Sequence, residues 1–592
     1  MEACLLLLSL FLLAAPTEAD ARAFFERANK ELKASWTVRD KAAYVNATYI
    51  TDDSDALAAA MSERSMELMA KLIKESEKFR GMKLPPDLER QMLLLRIADT
   101  FPPPDDAAAR SELAQLATEL SSMYGKGEHC FQKGKEKKCE KLDGLGKELA
   151  TNHDEAIAKD IWVGWHKTGA QMRDKYAREV ELANAGARAL GFKDLSELWK
   201  SGYDMPPAAF EAETDRLWTQ LKPLYEQLHC YVRGKLHEKY KDKVPADGPI
   251  PAHVLGNMWA QEWANIYDLV EPYKGAGTVD VSKAIVKAKW DPVTMVKKGE
   301  AFFTSLGFDP LPPTFYTRSQ FTRPKDREVV CHASAWDVAY DNDVRIKMCI
   351  QPTEEDFITI HHELGHIFYY QRYFKLPVLF QAGANDGFHE GIGDTLALSI
   401  TPAYLDKLGL VKKGAENDKA LINEQMKAAL EKIAFLPFGL LLDRWRWEVF
   451  SGRTTKANYN ARFWELRKQY QGVAPPVART EADFDPGAKY HIPANVPYTR
   501  YFLARILQFQ FHRGLCKAAG HTGPLHTCSI YGNAAAGAKL KAMLELGASQ
   551  PWPKALAAVT GESAMDATAL VDYFEPLMGW LKKENTGKSC GY

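Results

Sequence analysis

The sequence predicts a mostly α-helical fold, and three observations lead there. The first half carries long stretches rich in Ala, Leu, Glu and Lys, such as Asp55 to Phe79 and Ala107 to Met123, with apolar residues at helical spacing. Proline-rich breaks near Phe101–Asp105, Pro249–Pro251 and Pro310–Pro313 punctuate helical blocks. No regular alternation of strands and helices of the doubly wound kind is visible, and neither is an internal repeat.

Length and composition fit such a protein. The chain has 592 residues, of which 46% are hydrophobic and 26% charged, the balance of a globular protein with a large core. A formal net charge of -1 gives no electrostatic case for nucleic acid or an anionic membrane as partner. Residues 1–19 read as a secretory leader: an apolar run from Leu5 to Ala15, too short to span a bilayer, is followed by Thr17 and Ala19 as small residues for cleavage after Ala19. Glu2 stands where a basic residue is usual. Residues 20–592 are then the mature, secreted chain, with no later apolar run long enough for a membrane anchor.

The segment Arg327–Ile350 departs from the helical pattern. Val329, Val330, Ala335, Val344 and Ile346 predict two short strands joined through Asp341-Asn342-Asp343, a small β-hairpin with a cysteine near each outer end. Nine cysteines fit an oxidising compartment. Cys130 and Cys139, Cys331 and Cys349, and Cys516 and Cys528 are close in sequence, though sequence alone leaves connectivity open. Cys4 leaves with the leader; Cys230 is expected to be a buried free thiol, and Cys590 is unassigned.

The central feature is His362-Glu363-Leu364-Gly365-His366. Thr353 can cap a helix there and Asp356 can complete a capping box, while Glu354 and Glu355 suit the helix dipole. Phe357, Ile360, Leu364, Ile367 and Phe368 form one apolar face, and the two histidines lie off it, one turn apart, able to grip one ion. A hydrolytic zinc needs a third protein ligand and an open position. The next acidic residue in a helical setting is Glu390, with Asp394 one turn further on to hold a ligand histidine in one tautomer. Glu363 is the natural general base. The spacing leaves His361 and His389 as hydrogen-bonded structural histidines.

With these residues in view, the chain resembles the angiotensin-converting enzyme family of zinc dipeptidyl carboxypeptidases along nearly its whole length. The stretches that carry the resemblance are Gly248 to His253, Met258-Trp259-Ala260-Gln261, Val330 to Asp337, Ala434 to Gly439, Asp443 to Trp447 and Ile506 to His512. The resemblance implies a two-lobed helical zinc peptidase with a deep central channel that admits oligopeptides with a free C-terminus. It implies that His491 and Tyr501 stabilise the tetrahedral intermediate. Lys489, Gln261 and Tyr498 would hold the substrate's C-terminal carboxylate, and His332 and Ala333 its backbone. Gln261, where a single-residue carboxypeptidase relative has arginine, implies release of dipeptides. Tyr203 and Arg500 match an activating chloride site. A second anion site looks degraded, with His166 and Phe463 in place of arginine and tryptophan although Arg467 remains, and with Lys200 where arginine is common. One chloride is therefore expected. The three cysteine pairs match the family's disulfides, and a single catalytic unit without a C-terminal anchor is expected, as a monomer or weak oligomer. The rivals are another zinc peptidase specificity, a monocarboxypeptidase or oligopeptidase, and a non-catalytic peptide-binding homologue.

Overall fold

The computed structural model describes residues 15–276, 280–411 and 417–592. Helix accounts for 64% and strand for 4%, and the described strands pair into three two-stranded sheets, so the mostly helical expectation holds. The large core gathers Trp162, Trp165, Trp263, Trp445 and Trp447, each almost wholly removed from solvent. Two long helices, Pro207–Tyr240 and Asp418–Phe450, run through it. A smaller separate core lies among the helices Glu18–Thr48, Asp52–Ser76 and Pro86–Arg96, where Phe24, Phe25, Leu32, Leu72 and Leu88 meet Val378 and Leu379.

Residues 1–14 of the expected leader lie outside the described residues. Thr17 caps the first helix: its Oγ1 accepts from Asp20 N at 3.2 Å, and Asp20 accepts from Thr17 N at 2.8 Å. Cleavage after Ala19 would remove this box. No described helix is long and apolar enough to cross a membrane.

The hairpin forms from Ser334–Asp337 and Val344–Lys347, antiparallel, with Ala335 opposite Ile346. It starts later than the sequence predicts. Val329 and Val330 stay outside it because Val330 N donates to Ala47 O at 2.9 Å, at the end of the first helix. Ile50 N likewise donates to Glu328 O, and the hairpin's turn returns the favour: Tyr340 is bonded to both Arg39 and Asp40. A second hairpin, Glu128–Lys133 with Glu136–Lys141, sets Cys130 directly opposite Cys139. Its strands carry mostly charged, exposed residues, so they lack the apolar alternation that marks a strand in sequence.

Among the described residues there are four disulfides: Cys130–Cys139, Cys331–Cys349, Cys516–Cys528 and Cys230–Cys590. The last overturns the expected free thiol at Cys230. The partners are 360 residues apart, so spacing gave no signal. The tail around Cys590 is held by the buried Arg233, whose Nη1 donates to Gly591 O at 2.7 Å and Gly248 O at 2.9 Å. Tyr592 packs on His229 with ring centroids 4.7 Å apart and donates to Tyr470 O at 2.8 Å.

Candidate metal centre and peptide site

The first motif sits on the helix Glu354–Tyr373, called here the histidine helix. Thr353 Oγ1 accepts from Asp356 N at 3.1 Å and caps it, with Glu354, Glu355 and Asp356 in the first turn. The reciprocal half of the expected capping box is replaced: the Asp356 carboxylate takes the N–H of Gln351 instead. Phe357, Ile360, Leu364, Ile367 and Phe368 are fully buried, as their spacing requires, and anchor the helix while His362 and His366 face outward, half-buried.

Glu390 comes from the helix Asp386–Ala397, the acidic helix, capped by Asn385. The two helices cross in backbone contact. A Cβ on Gly365 would lie 2.6 Å from the Gly393 Cα, and one on Gly393 would lie 2.6 Å from the His362 carbonyl oxygen. Only glycine fits at either position, and this close crossing presses Glu390 and Asp394 against the two imidazoles.

The three ligand atoms of His362, His366 and Glu390 lie within 4.8 Å of one another. His362 Nε2 is 3.1 Å from His366 Nε2 and 3.7 Å from Glu390 Oε2. Each imidazole has its other nitrogen engaged. His362 Nδ1 donates to Asp394 Oδ1 at 3.0 Å, so the neutral ring, the form that binds a metal, carries its lone pair on Nε2. His366 Nδ1 lies 3.0 Å from His389 Nδ1, whose Nε2 lies 2.8 Å from Tyr373 Oη. With His366 Nδ1 as donor, both Nε2 lone pairs and a carboxylate oxygen converge on one point, a donor set that fits a divalent cation. The other such cluster among the described residues, His512 with Cys516 and Cys528, has its sulfurs consumed by a disulfide.

Charge organises this centre. Burial alone would raise the Asp394 pKa, but Lys432, Arg505 and His362 outweigh it and hold the carboxyl well below its usual range. Arg505 Nη1 donates to Asp394 Oδ2 at 2.9 Å. Burial would likewise lower the His362 pKa, yet the hydrogen bond to Asp394 and the nearby Glu363 and Glu390 raise it to about 9. The buried Glu363 is raised above the ordinary carboxyl range by desolvation, with His362 opposing.

His491 and Tyr501 also come together. Their ring centroids are 5.8 Å apart, and Tyr498 packs against both. Burial first, then the cations Lys489, Arg446 and Arg500, push the His491 pKa far below its usual value, so the ring is neutral near pH 7. Burial raises the Tyr501 phenol, with Glu390 adding to the effect, so it stays protonated. The loop that carries His491 is pinned by the buried Arg446, which donates to His491 O at 2.8 Å and Val496 O at 2.7 Å. Asp443 fixes Arg446 through Nε at 2.7 Å and accepts from Tyr498 N and Thr499 N, both at 2.7 Å, at the start of the helix Thr499–Ala518. Nothing in residue spacing announced these organisers. Their one signal was the Asp443 to Trp447 stretch that carried the resemblance.

Lys489, Gln261 and Tyr498 form a compact cluster. Lys489 Nζ donates to Gln261 Oε1 at 2.7 Å, Tyr498 Oη donates to the same oxygen at 3.2 Å, and the ammonium sits 4.0 Å from the Trp259 ring centroid. Burial brings the Lys489 pKa down to about 7, with Glu262 opposing. His332 and Ala333 enter the hairpin from Cys331; His332 is exposed and its charge acts on Glu363. Tyr370 Oη donates to Ala335 O at 3.3 Å and ties the hairpin to the histidine helix. Tyr203 and Arg500 meet as well, each against the carboxylate of Asp386. At the anion site expected to be degraded, His166 is buried against Trp162 O at 2.8 Å, and the Arg467 guanidinium is enclosed by Phe438, Phe463 and Trp464.

Of the two histidines expected to be merely structural, His361 is so, fully buried with Nδ1 2.8 Å from Phe357 O. His389 is more than that, since it links His366 to Tyr373.

Comparison with known proteins agrees with this geometry. A family model described as angiotensin-converting enzyme, peptidase family M2, matches residues 15–592. The angiotensin-converting enzyme of Bos taurus is 43% identical over 575 residues, covering 96% of this chain and 43% of the relative. That of Mus musculus is 44% identical over 583 residues, covering 96% and 44%. That of Haematobia irritans exigua is 39% identical over 586 residues, covering 97% and 95%. The chain thus spans less than half the length of these two mammalian relatives and nearly all of the Haematobia one. A capped histidine helix, an acidic helix crossing it on glycine and a match over almost every residue lead to one statement: the chain belongs to the angiotensin-converting enzyme family.

Proposed function

We propose that this protein is a secreted, zinc-dependent peptidyl-dipeptidase that removes C-terminal dipeptides from oligopeptides. The observation that carries the reading is the Lys489–Gln261–Tyr498 cluster on the same chain as a three-ligand metal site. A buried cation with two hydrogen-bonding neighbours suits a free carboxylate, and its separation from the metal sets how many residues are released.

His362, His366 and Glu390 would hold the ion, two imidazoles and a carboxylate being a zinc-type donor set that leaves a position open. When bound, zinc supplies Lewis-acid activation of water and of the scissile carbonyl. Glu363 takes a proton from the attacking water and gives it to the departing amine; its raised pKa suits a group that must do both. Neutral His491 and protonated Tyr501 donate to the oxygen on which charge develops, each worth about 2.7–4 kcal/mol by analogy with measured oxyanion donors. The segment at Ala333, leading into the strand Ser334–Asp337, would receive the peptide backbone as an added strand. The family resemblance implies a channel between two helical halves, which would exclude folded proteins. Four disulfides suit an oxidising compartment, extracellular or periplasmic, reached by the leader at residues 1–19.

The test is product mass. The zinc-loaded protein, given a free-acid oligopeptide such as angiotensin, should release dipeptides in sequence from the C-terminus. Single amino acids or internal fragments alone would replace this specificity with another, and an intact peptide would favour a binding protein. Glu363→Gln should keep zinc and lose turnover.

A further inference from the structure

Tyr203 and Arg500 were expected to hold an activating chloride. The structure places a carboxylate there. Tyr203 Oη donates to Asp386 Oδ2 at 3.2 Å, and Arg500 Nε lies 3.2 Å from the same oxygen as an ion pair. A phenol and a guanidinium thus converge on one atom of negative charge, the arrangement a monatomic anion would need. The convergence is fixed in place. Tyr203 stacks on Phe210 with centroids 4.0 Å apart and interplanar angle 7°, and its carbonyl accepts from Trp552 Nε1 at 2.7 Å. Asp386 opens the acidic helix one turn before Glu390, so its carboxylate is delivered by the element that carries the metal ligand.

The residues therefore do not fit a chloride, which would have to share their faces with a fixed like charge. They fit a chain that carries its own anion. Arg500 adjoins Tyr501 in sequence, and its charge acts on both Tyr501 and Glu390. Left without a counter-charge, Arg500 would compete for the Glu390 carboxylate. Paired with Asp386, it leaves Glu390 free to turn toward the imidazoles.

We propose that Asp386 is a resident anion that does here, covalently and permanently, the work of an activating halide, so that the enzyme is active without chloride at this site. The inference rests on the peptidase reading, and Asp386 is a positioning residue, acting on the site through Arg500.

The experiment exchanges gluconate for chloride at constant ionic strength and follows dipeptide release. The wild-type kcat/KM should change less than about twofold, whereas Asp386→Ala should lose roughly 5- to 150-fold in gluconate, the usual span of a site-to-site coupling, and regain it saturably with chloride or bromide. Asp386→Asn, which keeps the shape and removes the charge, should show the same halide demand. The second readout needs no turnover: ³⁵Cl line broadening should appear in the Asp386→Ala protein in excess of the wild type and vanish on adding Arg500→Gln. Saturable chloride activation of the wild type that Arg500→Gln abolishes would overturn the proposal, as would an Asp386→Ala enzyme fully active in gluconate. Should the wild type release no dipeptide at any chloride level, the peptidase reading fails, and the line-broadening comparison still decides whether Asp386 holds the anion's place.

Discussion

Asp394 braces His362 from behind: its Oδ1 accepts from His362 Nδ1 at 3.0 Å while its Oδ2 is held by Arg505 at 2.9 Å. The carboxylate thereby fixes the imidazole's tautomer and aim. Asp394→Asn, which keeps size and loses charge, should weaken zinc binding about 10- to 100-fold. Competition with a chromogenic chelator measures this directly, and an unchanged dissociation constant would remove Asp394 from the metal site.

His389 plays the matching part behind His366, 3.0 Å away and backed by Tyr373. His389→Phe preserves a ring and removes the relay. Zinc affinity should fall by about tenfold or more, and Tyr373→Phe should fall less, because His389 then loses only its own support. Equal affinity in all three proteins would return His389 to a packing role.

Gly365 has no room for a methyl group, since its Cβ would lie 2.6 Å from Gly393. Gly365→Ala should push the histidine and acidic helices apart. The expected cost is about 1–3 kcal/mol of stability from overpacking, together with loss of zinc, because Glu390 moves away with its helix. Calorimetry of the zinc-free and zinc-loaded protein reads both effects; a variant with the wild-type melting temperature and affinity would show that the crossing is looser than it stands.

Lys489 supplies the pH dependence. Its pKa, brought to about 7 by burial, lies below the ordinary value of 10.5, so the free enzyme loses this cation as pH rises through about 7. Under the proposed function, the carboxylate of a peptide binds the protonated form. The kcat/KM for a free-acid peptide should therefore decline above about pH 7, and that for its C-terminal amide should not decline through this group. Lys489→Arg, charged throughout, should move the decline to higher pH. Identical profiles for acid and amide would detach Lys489 from the carboxylate.

The Cys230–Cys590 bridge closes the longest loop of the four. Replacing both cysteines by serine should cost about 2–5 kcal/mol and lower the melting temperature by several degrees. A double variant as stable as the wild type would mean that Arg233 and Tyr592 hold the tail without help.

Much of the candidate metal site was legible in the sequence because a helix repeats every 3.6 residues, so His362, His366 and the apolar face of Phe357, Ile360 and Leu364 could be assigned from spacing alone. Glu390 and Asp394 followed from the same logic one helix later. Residues that meet only through tertiary folding were silent: Asp443 and Arg446 behind His491, Cys590 beside Cys230, and Asp386 between Tyr203 and Arg500. The charged hairpin at Glu128–Lys141 was missed because its strands bury almost nothing, and burial is what writes a period into sequence. His389 carries no signal in sequence, since the two-histidine motif is complete without it.

The strand that follows Ala333 is tied to the first helix on both sides, by Val330 N to Ala47 O before it and by Tyr340 to Arg39 and Asp40 after it, and to the histidine helix through Tyr370. The first helix and the histidine helix are therefore joined through one strand: a displacement of the amino-terminal helix would be carried into Ser334–Asp337 and felt at the helix that bears His362 and His366.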